Sequence, residues 1–378
     1  MFGFLFRLSP VKTAKILQKA NSLYEQQKFA RAIPLYKKIL RSDSTHFAAI
    51  ANLAVCYFEV EEYALSIPLF CRSAELDSAN PWWHNYLSQS YQKTGCFAEA
   101  LEAAWQAVEL SGGAAEHHLN MAYAVYETAD EKGRGFVEPY LQKWYKKYKK
   151  NGIVGQSYKS FFYDKNFRTS NLDYVEKLFD VFAENFDEVL NGLEYHSPSE
   201  IAQSLKGIFA DKKPEKIRVL DLGCGSGLCG KYIKEQMPET DITGVDISEK
   251  MLVEAEAKKV YDKLVKSDLM SCFDNIKNKF DAAVASDVLT YFGSLDSLFA
   301  GVADSLIKGG VFIFTVSINT TNSKDWFLQP CSRFAHNEKY VGKMIEKNGF
   351  EIIKNEEKIL RREGDKNVVG RLISAYKK

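Results

Sequence analysis

Val219-Leu-Asp-Leu-Gly223-Cys-Gly225-Ser-Gly227-Leu is the stretch on which the reading of the chain turns. A short apolar run enters three glycines at alternate positions, and a helix-like stretch follows. Glycine lacks a Cβ, so such a backbone bends sharply and comes close to a ligand at the end of a buried strand. On its own, Gly225-Ser-Gly-Leu-Cys-Gly230 also spells the dinucleotide fingerprint. Asp221, two residues before the first glycine, separates the possibilities. A carboxylate there repels a pyrophosphate and attracts a cationic ligand.

Outward from this turn, strand-like and helix-like stretches alternate. Residues 217–222, 241–247, 263–267, 280–286 and 311–317 read as strands, with helices near 228–237, 248–259 and 296–307. This alternation predicts an α/β domain with a parallel sheet covered on both faces. Two late strands, 350–360 and 368–376, flank a polar turn containing Gly364-Asp365. Further acids fall at strand ends. Gly244-Val-Asp246-Ile247-Ser comes 23 residues after Gly223 and offers a carboxylate to both hydroxyls of a ribose, a device an NAD enzyme would share. Ser267-Asp268-Leu269 ends the third strand, and Phe280-Asp281-Ala-Ala-Val-Ala-Ser286-Asp287-Val-Leu-Thr-Tyr291 ends the fourth. Gly309-Gly310 turns the chain into the fifth.

Together these stretches closely resemble the motifs of class I S-adenosylmethionine-dependent methyltransferases. The resemblance implies a Rossmann-like, seven-stranded, mostly parallel sheet in the order 3-2-1-4-5-7-6. It implies S-adenosylmethionine as cofactor and S-adenosylhomocysteine as product. Asp221, Gly223, Cys224, Gly225 and Gly227 would hold the methionine portion and Asp246 with Ile247 the ribose. Asp268 and Leu269 would meet the adenine, and Ser286 would face the transferred methyl. An NAD-type oxidoreductase is the less favoured alternative, for want of a recognisable hydride-acceptor site. Methyl transfer needs a general base only when the acceptor must lose a proton during attack. Asp287, Tyr291 and His336 are the candidates near the mouth. His336 lies in Arg333-Phe-Ala-His336-Asn-Glu338, directly before a helix over 339–347, and reads either as a base or acceptor-binding residue or as a helix cap.

The first 150 residues carry a different signal. A 34-residue shift aligns Ala20, Ala54 and Ser88, then Leu23, Tyr57 and Tyr91, then Phe29, Tyr63 and Phe97, then Ala32, Ser66 and Ala100. Tyr36 and Phe70 continue the register where the third copy has Ala104. Small residues let paired helices approach, and aromatics fill the groove between pairs. The pattern resembles tetratricopeptide repeats, with Leu53-Ala54-x-x-Tyr57 and Leu87-Ser88-x-x-Tyr91 standing where that family has Leu-Gly-x-x-Tyr. About three repeats span residues 13 to 114 and a fourth decays. A helix over 136–150 caps the stack, its lysines being either a solvated face or a docking patch.

The expected organisation is therefore an all-α repeat domain over 1–150, a linker with N-terminal helices over 151–215 and a methyltransferase core over 216–378. Apolar residues at 172, 175, 178, 179, 182, 186 and 189 predict one amphipathic helix over 172–190, a lid on the cofactor or simple packing on the sheet edge. Asn185-Phe-Asp-Glu-Val-Leu, Tyr195-x-x-Pro198, Arg333-Phe-Ala-His336 and Leu360-Arg-Arg-Glu363 are similar, in order, to a bacterial group of tetratricopeptide-repeat methyltransferases. That resemblance covers nearly the whole chain and implies a protein or peptide partner for the repeats.

Charge narrows the classes further. Lys+Arg of 50 against Asp+Glu of 49 gives no global attraction for nucleic acid or an anionic membrane. No apolar run reaches the length of a membrane span. Seven cysteines without metal or CxxC spacing read as free thiols in a reducing, cytoplasmic setting. The apolar start Met1-Phe-Gly-Phe-Leu-Phe-Arg-Leu8 lacks the features of a signal peptide. The stretch after the fourth strand has no Asn-Pro-Pro-aromatic sequence, which disfavours methylation of the amino groups of DNA bases or glutamine, and its Ser286-Asp-Val-Leu-Thr-Tyr291 suggests an oxygen or small-molecule acceptor. A carrier-bound or protein acceptor recruited by the repeats is the other expectation. The competing function is a scaffold that binds cofactor without turnover.

Overall fold

The structure is a computed structural model that describes residues 8–162, 167–210, 216–276, 279–320, 324–363 and 366–378. Residues 1–7 of the apolar start and the Gly364-Asp365 turn lie outside them. The chain divides into two compact units, Met1–Lys147 and Tyr148–Lys378.

The first unit is helical. Its elements are α1 (Pro10–Glu25), α2 (Phe29–Ser42), α3 (Phe47–Glu59), α4 (Tyr63–Leu76), α5 (Pro81–Lys93), α6 (Phe97–Leu110), α7 (Ala115–Lys132) and α8 (Arg134–Tyr148). Helix starts follow local chemistry: Ser9 and Asn80 cap α1 and α5 with their side chains, each followed by proline in the first turn. Successive helices pack on one another. Ala20, Ala54 and Ser88 are fully buried or nearly so, as are Ala32, Ser66 and Ala100, and Tyr36, Phe70 and Ala104. Trp83 packs on Phe70 while Trp82 keeps an exposed edge. Two lysines of the last helix do more than face solvent. Lys143 and Lys147 lie over the Trp105 ring, and Lys147 also pairs with Glu109.

The second unit is a doubly wound sheet. Its strands are β1 (Arg218–Leu222), β2 (Asp241–Asp246), β3 (Lys263–Lys266), β4 (Phe280–Ala285), β5 (Leu306–Ser317), β6 (Trp326–Leu328), β7 (Phe334–His336), β8 (Phe350–Glu363) and β9 (Lys366–Lys377). The main sheet runs β3-β2-β1-β4-β5-β9-β8, which is 3-2-1-4-5-7-6 once the separate β6-β7 ribbon is left out. Strands β1 to β5 are parallel, whereas β9 is antiparallel to both neighbours. Side chains alternate between the faces. Leu220, Ala283 and Phe312 enter one core, and Val219, Ala282 and Ile313 enter the other.

The helices of this unit are α9 (Gly152–Phe162), α10 (Leu172–Phe182), α11 (Phe186–Gly192), α12 (Ser197–Phe209), α13 (Leu228–Gln236), α14 (Glu249–Ala257), α15 (Leu269–Asn275), α16 (Asp296–Ser305) and α17 (Glu338–Lys347). Three features amend the expectations. The single helix expected over 172–190 is broken by a 3-10 turn, Ala183–Asn185, which sets the Phe186 ring edge-on to Phe179. Leu269 opens α15 instead of ending a strand, because Asp268 accepts from the Met270 and Ser271 amides and caps it. Gly309-Gly310 sits inside β5, where the register against β4 shifts, and does not precede the strand.

Candidate active site

The site begins where β1 ends. Gly223, Gly225 and Gly227 adopt φ of +66°, +53° and +91°. The Gly223 and Cys224 amides both donate to the Val245 carbonyl, locking the turn to the end of β2. The Asp246 carboxylate completes the lock: Oδ2 accepts from the Gly225 amide at 2.8 Å and Oδ1 from the Ser248 amide at 2.9 Å. Burial raises the Asp246 pKa, while the amide hydrogen bonds oppose the rise. A Cβ on Gly223 would stand 2.6 Å from Val288 Cγ2, so the turn is closed to any larger residue.

A single cavity collects most of the expected residues. Gly223, Cys224, Gly225, Asp246 and Ile247 lie on its wall, as do Asp268, Leu269, Ser286, Asp287 and Tyr291. Leu172, Val175, Phe179, Phe186, Leu190 and Leu193 cover it from α10 and the segment after it. Three polar contacts tie the cover down. Asp180 accepts from the Ser248 hydroxyl at 2.6 Å, Asp187 accepts from the Ser226 hydroxyl at 2.5 Å, and Lys258 pairs with Asp187 at 2.8 Å.

Three expected residues stand off the wall. Gly227 starts α13 behind the turn, where a Cβ would lie 3.0 Å from Tyr261. Asp221 is 1 % exposed and accepts from the Tyr261 hydroxyl at 2.7 Å, so it supports the turn from beneath. Burial pushes its carboxyl up to about 7, opposed by that hydrogen bond and reinforced by Asp246. His336 is corrected on both readings. It sits in β7, fully buried, with Nε2 2.7 Å from the Phe292 carbonyl and 3.1 Å from that of Gly293. Burial lowers its pKa to about 4, so the ring is a neutral donor that pins the ribbon to the loop after β4. The cap of α17 is Asn337, whose side chain accepts from the Lys339 amide.

In place of a histidine the wall carries residues to which the sequence assigned no role. Arg361 of β8 is 4 % exposed and pairs with Asp287 at 2.5 Å. Asp287 has φ of +57°, and its amide donates to Thr315 Oγ1 at 2.8 Å. Burial raises the Tyr291 pKa, opposed by Arg333 and Arg361, and the Tyr195 hydroxyl lies 2.7 Å from Ser286 Oγ. Tyr195, Pro198, Arg333 and Arg361 all line the cavity. The similar stretches in which they occur were the available signal, but no spacing between them points to one cavity.

The glycine turn and the buried Asp246 are a test of cofactor fit. Two carboxylates, Asp246 and Asp268, can accept from hydroxyl and amino groups, and Ile247 and Leu269 add apolar surface. The only basic residues on the described wall are Arg333 and Arg361, and Arg361 is paired with Asp287. A phosphate-free nucleoside with a cationic side chain suits this donor set, and a pyrophosphate does not. Among the described residues no cluster has the makings of a metal site, and no helix is long and apolar enough to cross a membrane.

Residues 220–312 match the family model described as a methyltransferase domain. A ribosomal RNA small subunit methyltransferase C from Pasteurella multocida is 29% identical over 97 residues, 25% of this chain and 29% of that protein. A malonyl-[acyl-carrier protein] O-methyltransferase from Magnetococcus marinus is 26% identical over 151 residues, 38% of this chain and 54% of its own length. The chain thus spans about half or less of these curated relatives. The crystal structure of an S-adenosylmethionine-dependent methyltransferase from Clostridium acetobutylicum covers 53% of this chain and 99% of its own, at 20% identity and a TM-score of 0.39. The matched segment runs from β1 into β5 and contains the glycine turn, Asp246, Asp268 and Asp287. Residues 220–312 of the second unit are thus similar to a methyltransferase domain, and the sheet that carries them has the strand order 3-2-1-4-5-7-6.

Proposed function

We propose that the whole chain is an active methyltransferase whose helical unit, built as tetratricopeptide-type repeats, recruits the acceptor or a protein that carries it. The observation that carries the catalytic reading is the convergence of Gly223, Gly225, Asp246, Asp268 and Ser286 on one covered cavity. The 34-residue register supports the repeat reading, since its small positions are buried in all three copies. The curated relatives act, by name, on ribosomal RNA and on a malonyl group bound to acyl-carrier protein. A carrier-bound or small-molecule acceptor suits the near-zero net charge better than RNA does.

When bound, S-adenosylmethionine supplies a methyl group already activated on a sulfonium. The chain's own residues then bind, orient and exclude water. Asp246 and Asp268 accept hydrogen bonds, and the glycine turn admits close backbone approach. Phe179, Phe186 and Leu190 shut water out of the cavity. The test is calorimetry with S-adenosylhomocysteine on the wild type and Asp246→Ala. Micromolar binding that weakens at least about ten-fold in the variant is expected, because a charged hydrogen-bonding group is lost. No binding to the folded wild type would overturn the assignment. Binding with no turnover on any acceptor would favour a scaffold.

A further inference from the structure

The near-neutral total of the chain hides a steep division of charge inside the helical unit. The first hairpin, α1 with α2, carries eight cations against the single anion Glu25. The next two hairpins, α3 with α4 and α5 with α6, are each net acidic, and α7 with α8 balances. All eight cations are exposed, and among the described residues none of them is held in an ion pair. Lys12, Lys15 and Lys19 stand three and four residues apart, so they form one stripe along α1, while Leu17 and Ala20 on another flank enter the core. Arg31, Lys38 and Arg41 extend the surplus along α2. Crowded like charges repel one another, so they burden the hairpin instead of holding it. A local surplus still acts on a nearby surface, because acids farther off than a Debye length of about 8 Å are screened.

Apolar residues adjoin these cations. Val11, beside Lys12 at the start of α1, is 69% exposed. In the sequence Phe2, Phe4, Leu5, Phe6 and Leu8 directly precede the helix. Phosphate chains of nucleic acid are met by charge alone, whereas lasting attachment to a bilayer takes an apolar insertion together with a basic patch. We propose that the first hairpin, with the apolar residues before it, docks the protein on the surface of an anionic lipid bilayer. The cations of α1 and α2 meet phosphate headgroups, and the apolar residues enter the boundary between headgroups and acyl chains. The attachment is peripheral and reversible.

The experiment is co-sedimentation of the full chain with vesicles of two parts phosphatidylcholine to one part phosphatidylglycerol, and with vesicles of phosphatidylcholine alone. Binding to the anionic vesicles is expected to be at least about ten-fold tighter, and to fall steeply as salt rises from about 0.05 to about 0.5 M. Lys12→Gln with Lys15→Gln and Lys19→Gln should weaken it about a hundred-fold, at about five-fold per charge. That variant should unfold no more readily than the wild type, because all three side chains are exposed. Phe4→Ser with Phe6→Ser should weaken vesicle binding at least about five-fold and leave any binding to a short RNA unchanged. Equal sedimentation with the two kinds of vesicle, or undiminished binding by either variant, would overturn the proposal. RNA bound as tightly as the anionic vesicles would also overturn it, and would assign the hairpin to nucleic acid.

Discussion

The cofactor wall and the acceptor wall of the same cavity are made by different means. The cofactor wall comes from strand ends and the turns directly after them: β1 gives the glycines, β2 gives Asp246, and β3 leads to Asp268. Each residue is positioned by its immediate neighbours, through positive φ, an amide lock or a helix cap. The acceptor wall comes from pieces far apart in the chain. Tyr195 precedes the first strand, Asp287 follows the fourth, Arg333 lies between β6 and β7, and Arg361 is near the end of β8. These meet only through tertiary packing, with β8 on the edge of the sheet. A wall held by local geometry fails when the backbone is changed. A wall held by side-chain pairs fails when a partner is lost.

The largest effect follows from the local wall. Gly223→Ala forces an L-residue to φ +66° and sets its Cβ 2.6 Å from Val288 Cγ2. Strain and overlap together should cost about 4 kcal/mol in denaturant unfolding and abolish S-adenosylhomocysteine binding. Gly225→Ala has a similar φ, yet its Cβ would meet Phe186 at an ordinary 3.6 Å. It should cost only about 1 kcal/mol. Equal losses in the two variants would show that φ alone, and not the close approach to Val288, closes this turn.

The acceptor wall is tested by its ion pair. Arg361→Met leaves the Asp287 carboxylate, 18% exposed, without its paired guanidinium, and should cost about 3 kcal/mol. Arg361→Met with Asp287→Asn should recover most of that, because an uncompensated charge is no longer buried. If the double variant is no more stable than the single, the pair is not what organises this wall.

The same division explains what the sequence disclosed. The motif acids and glycines were readable because each is defined by its distance from a strand end, and strand ends follow from short apolar runs. One of them was readable as to place but not as to contact. Asp221 lies beneath the turn, and only the packing of Tyr261 from the segment before β3 reveals it. The break in 172–190 was hidden because the apolar spacing continues through Ala183–Asn185, where the 3-10 turn changes the direction of the chain but not its pattern. His336 misled for a related reason. A histidine near a site suggests chemistry, whereas its two backbone carbonyl partners come from a loop 43 and 44 residues away. Arg333 and Arg361 could not be joined from the sequence, since nothing in either stretch shows that β6-β7 and β8 border one cavity.

Asp221 gives a pH test of the local wall. Its carboxyl titrates near 3.8 when solvated and near 7 when folded. Between these values the folded state holds the extra proton, so stability falls as pH rises through the window and the contribution is complete only below about 4. Without cofactor, unfolding free energy should drop by about 2 kcal/mol from pH 5 to pH 7 on this account. Asp221→Asn should flatten that slope. A slope that persists in the variant assigns the proton uptake to another group, with Asp246 next in line because burial raises it too.

The smallest effect belongs to the cover, which borrows from both walls. Asp187 reaches from α11 to the Ser226 hydroxyl in the glycine turn and to Lys258 at the end of α14, while Asp180 of α10 accepts from Ser248. These are partly exposed pairs, and removing one charge should cost under about 1 kcal/mol of stability. Their effect should appear in kinetics, because the apolar contacts of Phe179, Phe186 and Leu190 still favour closure while the polar contacts set how long it lasts. Asp187→Asn keeps the size and the hydrogen bond to Ser226 but loses the ion pair, so S-adenosylhomocysteine should dissociate about three-fold faster with an unchanged association rate. Stopped-flow displacement reads both. A change confined to association would mean that the cover forms after the cofactor arrives and is not already closed without it.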